Sequence, residues 1–112
     1  MKSYPYTDVT SEPYAELPGV SIRWAIGANV GAPNFYLRVI DVEPGSATGY
    51  HEHAWEHEVF VLQGKGKVRL ADREVEIEKD MCVFVEPNEI HQFINVGDVT
   101  LRFICVIPKP ED

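Results

Sequence analysis

The sequence predicts an all-β domain, built as a sandwich or a closed barrel. Three observations carry this. Apolar segments of strand length recur at short intervals from residue 20 to residue 107. Turn-forming residues separate them: Pro44-Gly45, Gly64-Lys65-Gly66, Ala71-Asp72, Pro87-Asn88 and Gly97-Asp98. No segment sustains the apolar period of about 3.6 residues that an amphipathic helix requires.

Residues 1–18 are rich in Pro, Tyr, Ser and Glu and read as an extended arm; residues 19–112 read as the barrel domain. The first strands are expected at 20–27 (VSIRWAIG) and 35–43 (FYLRVIDVE), both rich in β-branched and aromatic residues. A short strand at 49–54 and one at 57–63 (HEVFVLQ) lead to the Gly64 turn. Segments 66–71 (GKVRLA) and 73–78 (REVEIE) flank Ala71-Asp72, and 81–86 (MCVFVE) stops at Pro87-Asn88. Segments 91–96 and 99–107 lie on either side of Gly97-Asp98. "EVFVLQ" and "CVFV" are apolar on both faces, so one face is expected inside and the other against a second sheet or subunit. With Arg102 outward, Leu101, Phe103, Cys105 and Ile107 point inward.

The chain has 112 residues, enough for one domain with its own core, and 45% of them are hydrophobic. Ten basic and 18 acidic residues give a net charge of −8, which excludes a nucleic-acid face and disfavours an anionic membrane surface. The polar start, Met1-Lys2-Ser3-Tyr4-Pro5, has no apolar leader region, and no apolar run approaches the roughly 20 residues of a membrane span. A cytoplasmic protein is expected, with Cys82 and Cys105 as buried free thiols.

Three of the four histidines fall within "HEHAWEHE", at His51, His53 and His57; the fourth is His91. The even separations put the first three on one face of a continuous strand, or at the facing ends of two strands if Ala54-Trp55-Glu56 is a loop. Either way the rings converge. Neutral imidazoles suit Mn, Fe, Co, Ni, Cu and Zn, and not Ca or Mg.

Gly45, His51, His53, His57 and Gly64 have five, one, three and six residues between them. This spacing resembles the first motif of the cupin superfamily, with His57 where the family usually has Glu. Asp80, Glu86, Asn88, His91 and Asn95 resemble the second motif more loosely. Asp80 and Asn88 replace its glycines and Glu86 its proline. Asn88 suits a left-handed turn. The phrases "HAWEHEVFVLQGKG", "VFVEPNEIH" and "VIPKP" are similar to the small single-domain manganese cupins with a four-histidine site.

The resemblance implies a jelly-roll antiparallel β-barrel with His51, His53, His57 and His91 as ligands of one divalent transition metal per chain. Mn is favoured and Fe is next; Zn, Ni or Cu can be taken up during expression, and a closed four-histidine Zn site is the structural rival. Four neutral ligands leave the full charge on the metal. Phe103, Cys105 and Ile107, together with Phe60, are expected to line a substrate pocket. Glu58 is the candidate catalytic base. Arg38 and Arg23 lie in apolar strands, so each needs an acidic partner in the protein or dimer, or a substrate carboxylate.

Three functions follow. The first is a Mn- or Fe-dependent oxidoreductase of dioxygenase type acting on a small organic substrate. The second is a metal-dependent isomerase or lyase that turns over without oxygen. The third is a non-catalytic module that binds a metal or small molecule. Two-sided apolar strands and the tyrosine-rich arm also suggest a homodimer whose arms exchange.

Overall fold

The protein was analysed as a computed structural model that describes residues 1–111. Nine strands form: β1 (Glu12–Pro13), β2 (Val20–Ile26), β3 (Phe35–Val42), β4 (His57–Gln63), β5 (Lys65–Arg69), β6 (Glu74–Glu78), β7 (Cys82–Val85), β8 (Gln92–Asn95) and β9 (Leu101–Pro108). They make two antiparallel sheets, one ordered β1-β2-β3-β9-β4-β7 and the other β6-β5-β8. The fold is the single-domain jelly-roll barrel that the strand pattern and the motif resemblance imply.

Strand β9 lies between β3 and β4, and its residues alternate strictly. Leu101, Phe103, Cys105 and Ile107 are buried, as their period of two requires. Phe103 joins the two sheets: its ring stacks on Phe93 of β8 at a centroid separation of 4.7 Å. Val42, Val61 and Val85 complete the driest part of the core. Inter-strand register lines Ile40, Phe103 and Val61 across the large sheet, and Arg38, Cys105 and Val59 in the neighbouring row.

The turns explain the two loose motif positions. Asp80 and Asn88 both adopt positive φ, at 73° and 65°, the region where a glycine would be unstrained. Gly64 has no such latitude. Its φ is 89°, and a Cβ there would stand 2.7 Å from the Thr100 carbonyl oxygen.

Two expectations are corrected, the strand at 49–54 and the burial of Cys82. Residues 49–54 do not form a regular strand. Instead Ala47 and His51 make isolated bridges to Ile94 and His91, because Gly49 and the turn at 54–55 interrupt the ladder. The arm is held to the barrel: β1 pairs with β2, and Tyr4 and Arg23 bond to the carbonyls of Ala25, Thr7 and Val9. Cys82 is exposed on the outer face of β7, while Cys105 is buried; both are free thiols. Among the described residues, no helix is long and apolar enough to cross a membrane.

Candidate metal centre

An isolated bridge just before β8 brings the first histidines together. His51 and His91 form an antiparallel bridge and exchange both backbone hydrogen bonds, at 3.1 and 3.0 Å. The pairing seats their rings 5.0 Å apart. The Asn88 N–H donates to the His53 carbonyl at 2.7 Å, which ties the His53 loop to the turn before His91. From the large sheet, His57 opens β4 and is buried by the same alternation that buries Val59 and Val61.

The four rings converge. His53 lies 4.5 Å from His57 and 5.1 Å from His91, and His57 lies 5.1 Å from His91. One nitrogen from each of His51, His53 and His91 falls within 4.8 Å of the others, the spacing of a ligand set. His57 stands beside this trio.

The ring tautomers are set from behind. His53 Nδ1 lies 2.8 Å from the Trp55 carbonyl oxygen, and His91 Nδ1 lies 2.7 Å from that of Glu89. A carbonyl only accepts, so each Nδ1 carries the proton and each Nε2 keeps its lone pair. Metal-binding imidazoles are oriented this way. His57 Nδ1 lies 3.1 Å from the Cys105 sulfur, and its Nε2 carries a free lone pair in the tautomer whose Nδ1–H donates to that sulfur.

Electrostatics point the same way. Burial, aided by the nearby Arg38 guanidinium, lowers His57 to about 3. Burial also lowers His51 and His91 below the ordinary imidazole value. Neutral imidazole is the form that ligates a metal. Burial pushes the Cys105 thiol up, against the pull of Arg38. The donor set therefore fits a divalent transition metal and not a hard oxygen-seeking ion.

The cluster opens onto a cavity of about 690 Å³. Trp24, Arg38, Phe103, Cys105 and Ile107 form much of its wall. Trp55 stands at its edge, its ring stacked on His53 at 4.3 Å with the planes 4° apart.

The structure brings Phe103, Cys105 and Ile107 to the histidines and takes two candidates away. Glu58 and Phe60 alternate to the opposite face of β4 and line an outer depression with Phe84 and Val106. Odd and even positions of a strand cannot share a face, so His57 inside puts Glu58 outside. The sequence reading missed Tyr14 and Trp24 as cavity residues. Only their large partly apolar rings hinted at it, and the sequence does not show that the arm lies over the barrel mouth.

Comparison with known proteins accords with this geometry. A family model described as a cupin domain matches residues 38–107. The solved structure of the polyketide cyclase RemF from Streptomyces resistomycificus superposes with a TM-score of 0.91 at 33% identity, covering 98% of this chain and 80% of that one. The tetracenomycin polyketide synthase protein TcmJ of Streptomyces glaucescens is 30% identical over 89 residues; the match spans 75% of this chain but 60% of TcmJ. An uncharacterised protein of Methanocaldococcus jannaschii is 29% identical over 102 residues, spanning 88% of this chain and 81% of that one.

Proposed function

This chain belongs to the cupin family, and on that premise we propose that it is a metal-dependent enzyme acting on a small, oxygen-bearing organic substrate by ring closure or isomerisation. One observation carries the reading: four converging imidazoles, two with Nδ1 tied to carbonyls, face an apolar cavity of about 690 Å³. A closed structural zinc site would need no such cavity. The likeness to a polyketide cyclase and to a polyketide synthase protein supports a cyclase-type reaction.

His51, His53, His57 and His91 would hold the metal, with Mn favoured and Fe next. When bound, it supplies Lewis-acid polarisation of a substrate oxygen. The carbonyls of Trp55 and Glu89 keep two ligand rings in register. Phe103, Ile107 and Trp24 present apolar surface that excludes water and shapes the substrate. Glu58 takes no part, since it faces away.

A second reading is an oxidoreductase of dioxygenase type. It is supported by the all-nitrogen donor set, which suits Fe, and by the resemblance of the histidine pattern to manganese cupins. Oxygen separates the two. Metal-loaded protein is incubated with a poly-β-keto substrate, aerobically and in an anaerobic chamber. Equal turnover in both supports the cyclase reading. Turnover only with oxygen consumption replaces it with the oxidoreductase. Metal uptake without turnover of any such substrate leaves a binding module.

The proposal extends to the assembly and its setting. A homodimer is supported by the exposed apolar face of β4, β7 and β9, and arm exchange by the way the arm lies along the β2 edge, where a second copy's arm can take its place. A cytoplasmic setting is supported by two free thiols, one of them exposed.

A further inference from the structure

We propose that Arg38 is the anion-binding residue of the cavity and that the substrate class is a small carboxylate with an apolar body. This inference rests on the cavity being the substrate site.

Arg38 sits on the inner face of β3, directly across from Cys105 of β9, and is only 4% exposed. A guanidinium keeps its charge at any working pH. Every contact it makes is to a neutral group. One terminal nitrogen donates to the Tyr14 hydroxyl at 3.1 Å and the other to the Cys105 sulfur at 3.0 Å. The Trp24 ring lies 5.7 Å from its central carbon. Its Nε is buried and has no partner at all. Each terminal nitrogen keeps a second hydrogen, so a planar array of donors remains unfilled.

The missing partner is a carboxylate. Among the described residues the ion pairs are Lys67–Glu74, Arg73–Asp72 and Arg102–Asp41. Within the same sheet Arg102 makes two bonds to one aspartate, at 2.7 and 3.3 Å, and Arg23 is satisfied by the backbone carbonyls of Thr7 and Val9. Arg38, more deeply buried, has neither. Glu16 and Glu52 line the cavity but are exposed, and neither forms an ion pair with it. An imidazole is never anionic, so the histidines beside it cannot compensate it. A divalent metal on those rings would add positive charge.

An uncompensated buried cation is costly, and a fold that keeps one near an apolar cavity has a use for it. The surface is acidic overall, with a net charge of −8, yet this interior is positive. That contrast selects an anion with little polar surface elsewhere. A guanidinium fork matches the two oxygens of a carboxylate, and the walls of Trp24, Phe103 and Ile107 match a flat hydrocarbon body.

Benzoate and its neutral isostere benzamide test this by calorimetric titration of metal-free and metal-loaded protein. Wild-type protein is expected to bind benzoate with a Kd on the order of 1 mM or tighter, and benzamide at least about tenfold more weakly. Arg38→Met is expected to erase the preference. Arg38→Lys, a point charge without the fork, is expected to keep part of it. Equal binding of the two probes by wild type, or no binding of either, overturns the proposal. So does a folded Arg38→Met protein that still prefers benzoate. If Arg38→Met does not fold, the wild-type preference and its reduction in Arg38→Lys decide. Elemental analysis of the same samples keeps the two readings apart. Benzoate preference in a protein that takes up no metal leaves Arg38 assigned and removes the metal enzyme. Stoichiometric metal without the preference does the reverse.

Discussion

The His57 imidazole is buried near a fixed positive charge, and its basicity falls to about 3. In the metal-free protein this couples folding to pH. The unfolded chain takes up that proton near the ordinary imidazole value of about 6.5, while the folded chain resists it until about 3. Between these limits the unfolded state binds more protons, so stability rises with pH. Stability is therefore complete above about pH 6.5 and falls as the pH drops towards 3, by at most about 1.4 kcal/mol per pH unit for this group. Denaturant unfolding of chelated protein at several pH values measures the slope. His57→Ala is expected to flatten it, and to weaken metal binding by at least about tenfold in a competition assay. An unchanged slope would mean that His57 is already charged in the folded state. At this scale the sequence was readable where spacing carries the signal: three histidines in seven positions must converge. Arg38 was readable only as an arginine in an apolar strand. Its lack of a carboxylate partner depends on which of 18 acidic side chains reaches it, and that is set by the fold.

Along an element, alternation decides function. In β9 the inward set of Leu101, Phe103, Cys105 and Ile107 follows from one outward arginine, and the structure buries all four. In β4 the same rule was available but hidden, because Phe60 is as apolar as its neighbours and Glu58 lies next to the candidate ligand His57. Only fixing His57 inside tells which face each takes. Glu58→Gln is accordingly expected to leave metal content unchanged and to shift stability by no more than about 0.5 kcal/mol. Elemental analysis and denaturant unfolding check both, and loss of metal would return Glu58 to the site. The segment at 49–54 was harder to read. Its apolar content suits a strand, but Gly49 and the bend after His53 reduce it to isolated bridges. Those bridges still achieve what a strand would have done, by pairing His51 with His91.

For the whole molecule, the outer face of the large sheet remains to be accounted for. Phe84 is 55% exposed and Phe60 38% exposed. Register sets Phe60 beside Cys82 and Ile104, and Glu58 beside Phe84 and Val106, so these side chains form one continuous patch. A patch of this kind on a sheet whose other face is a packed core is a docking surface in search of a partner. The proposed occupant is a second copy of the chain, meeting the same patch about a two-fold axis. The two-sided apolar pattern of "EVFVLQ" and "CVFV" implied a second sheet or a subunit on this face, and the exposure of Cys82 and Phe84 leaves the face uncovered in the single chain. Phe84→Glu places two like charges at the centre of such a contact, one from each copy, and buries both. Light scattering is expected to give the mass of a dimer for the wild type and of a monomer for Phe84→Glu. Metal content should stay unchanged, because the site lies on the other side of β4. A monomeric wild type would remove the dimer. A dimeric Phe84→Glu protein would move the interface to the β2 edge, where the arm lies, and leave the apolar face to another partner.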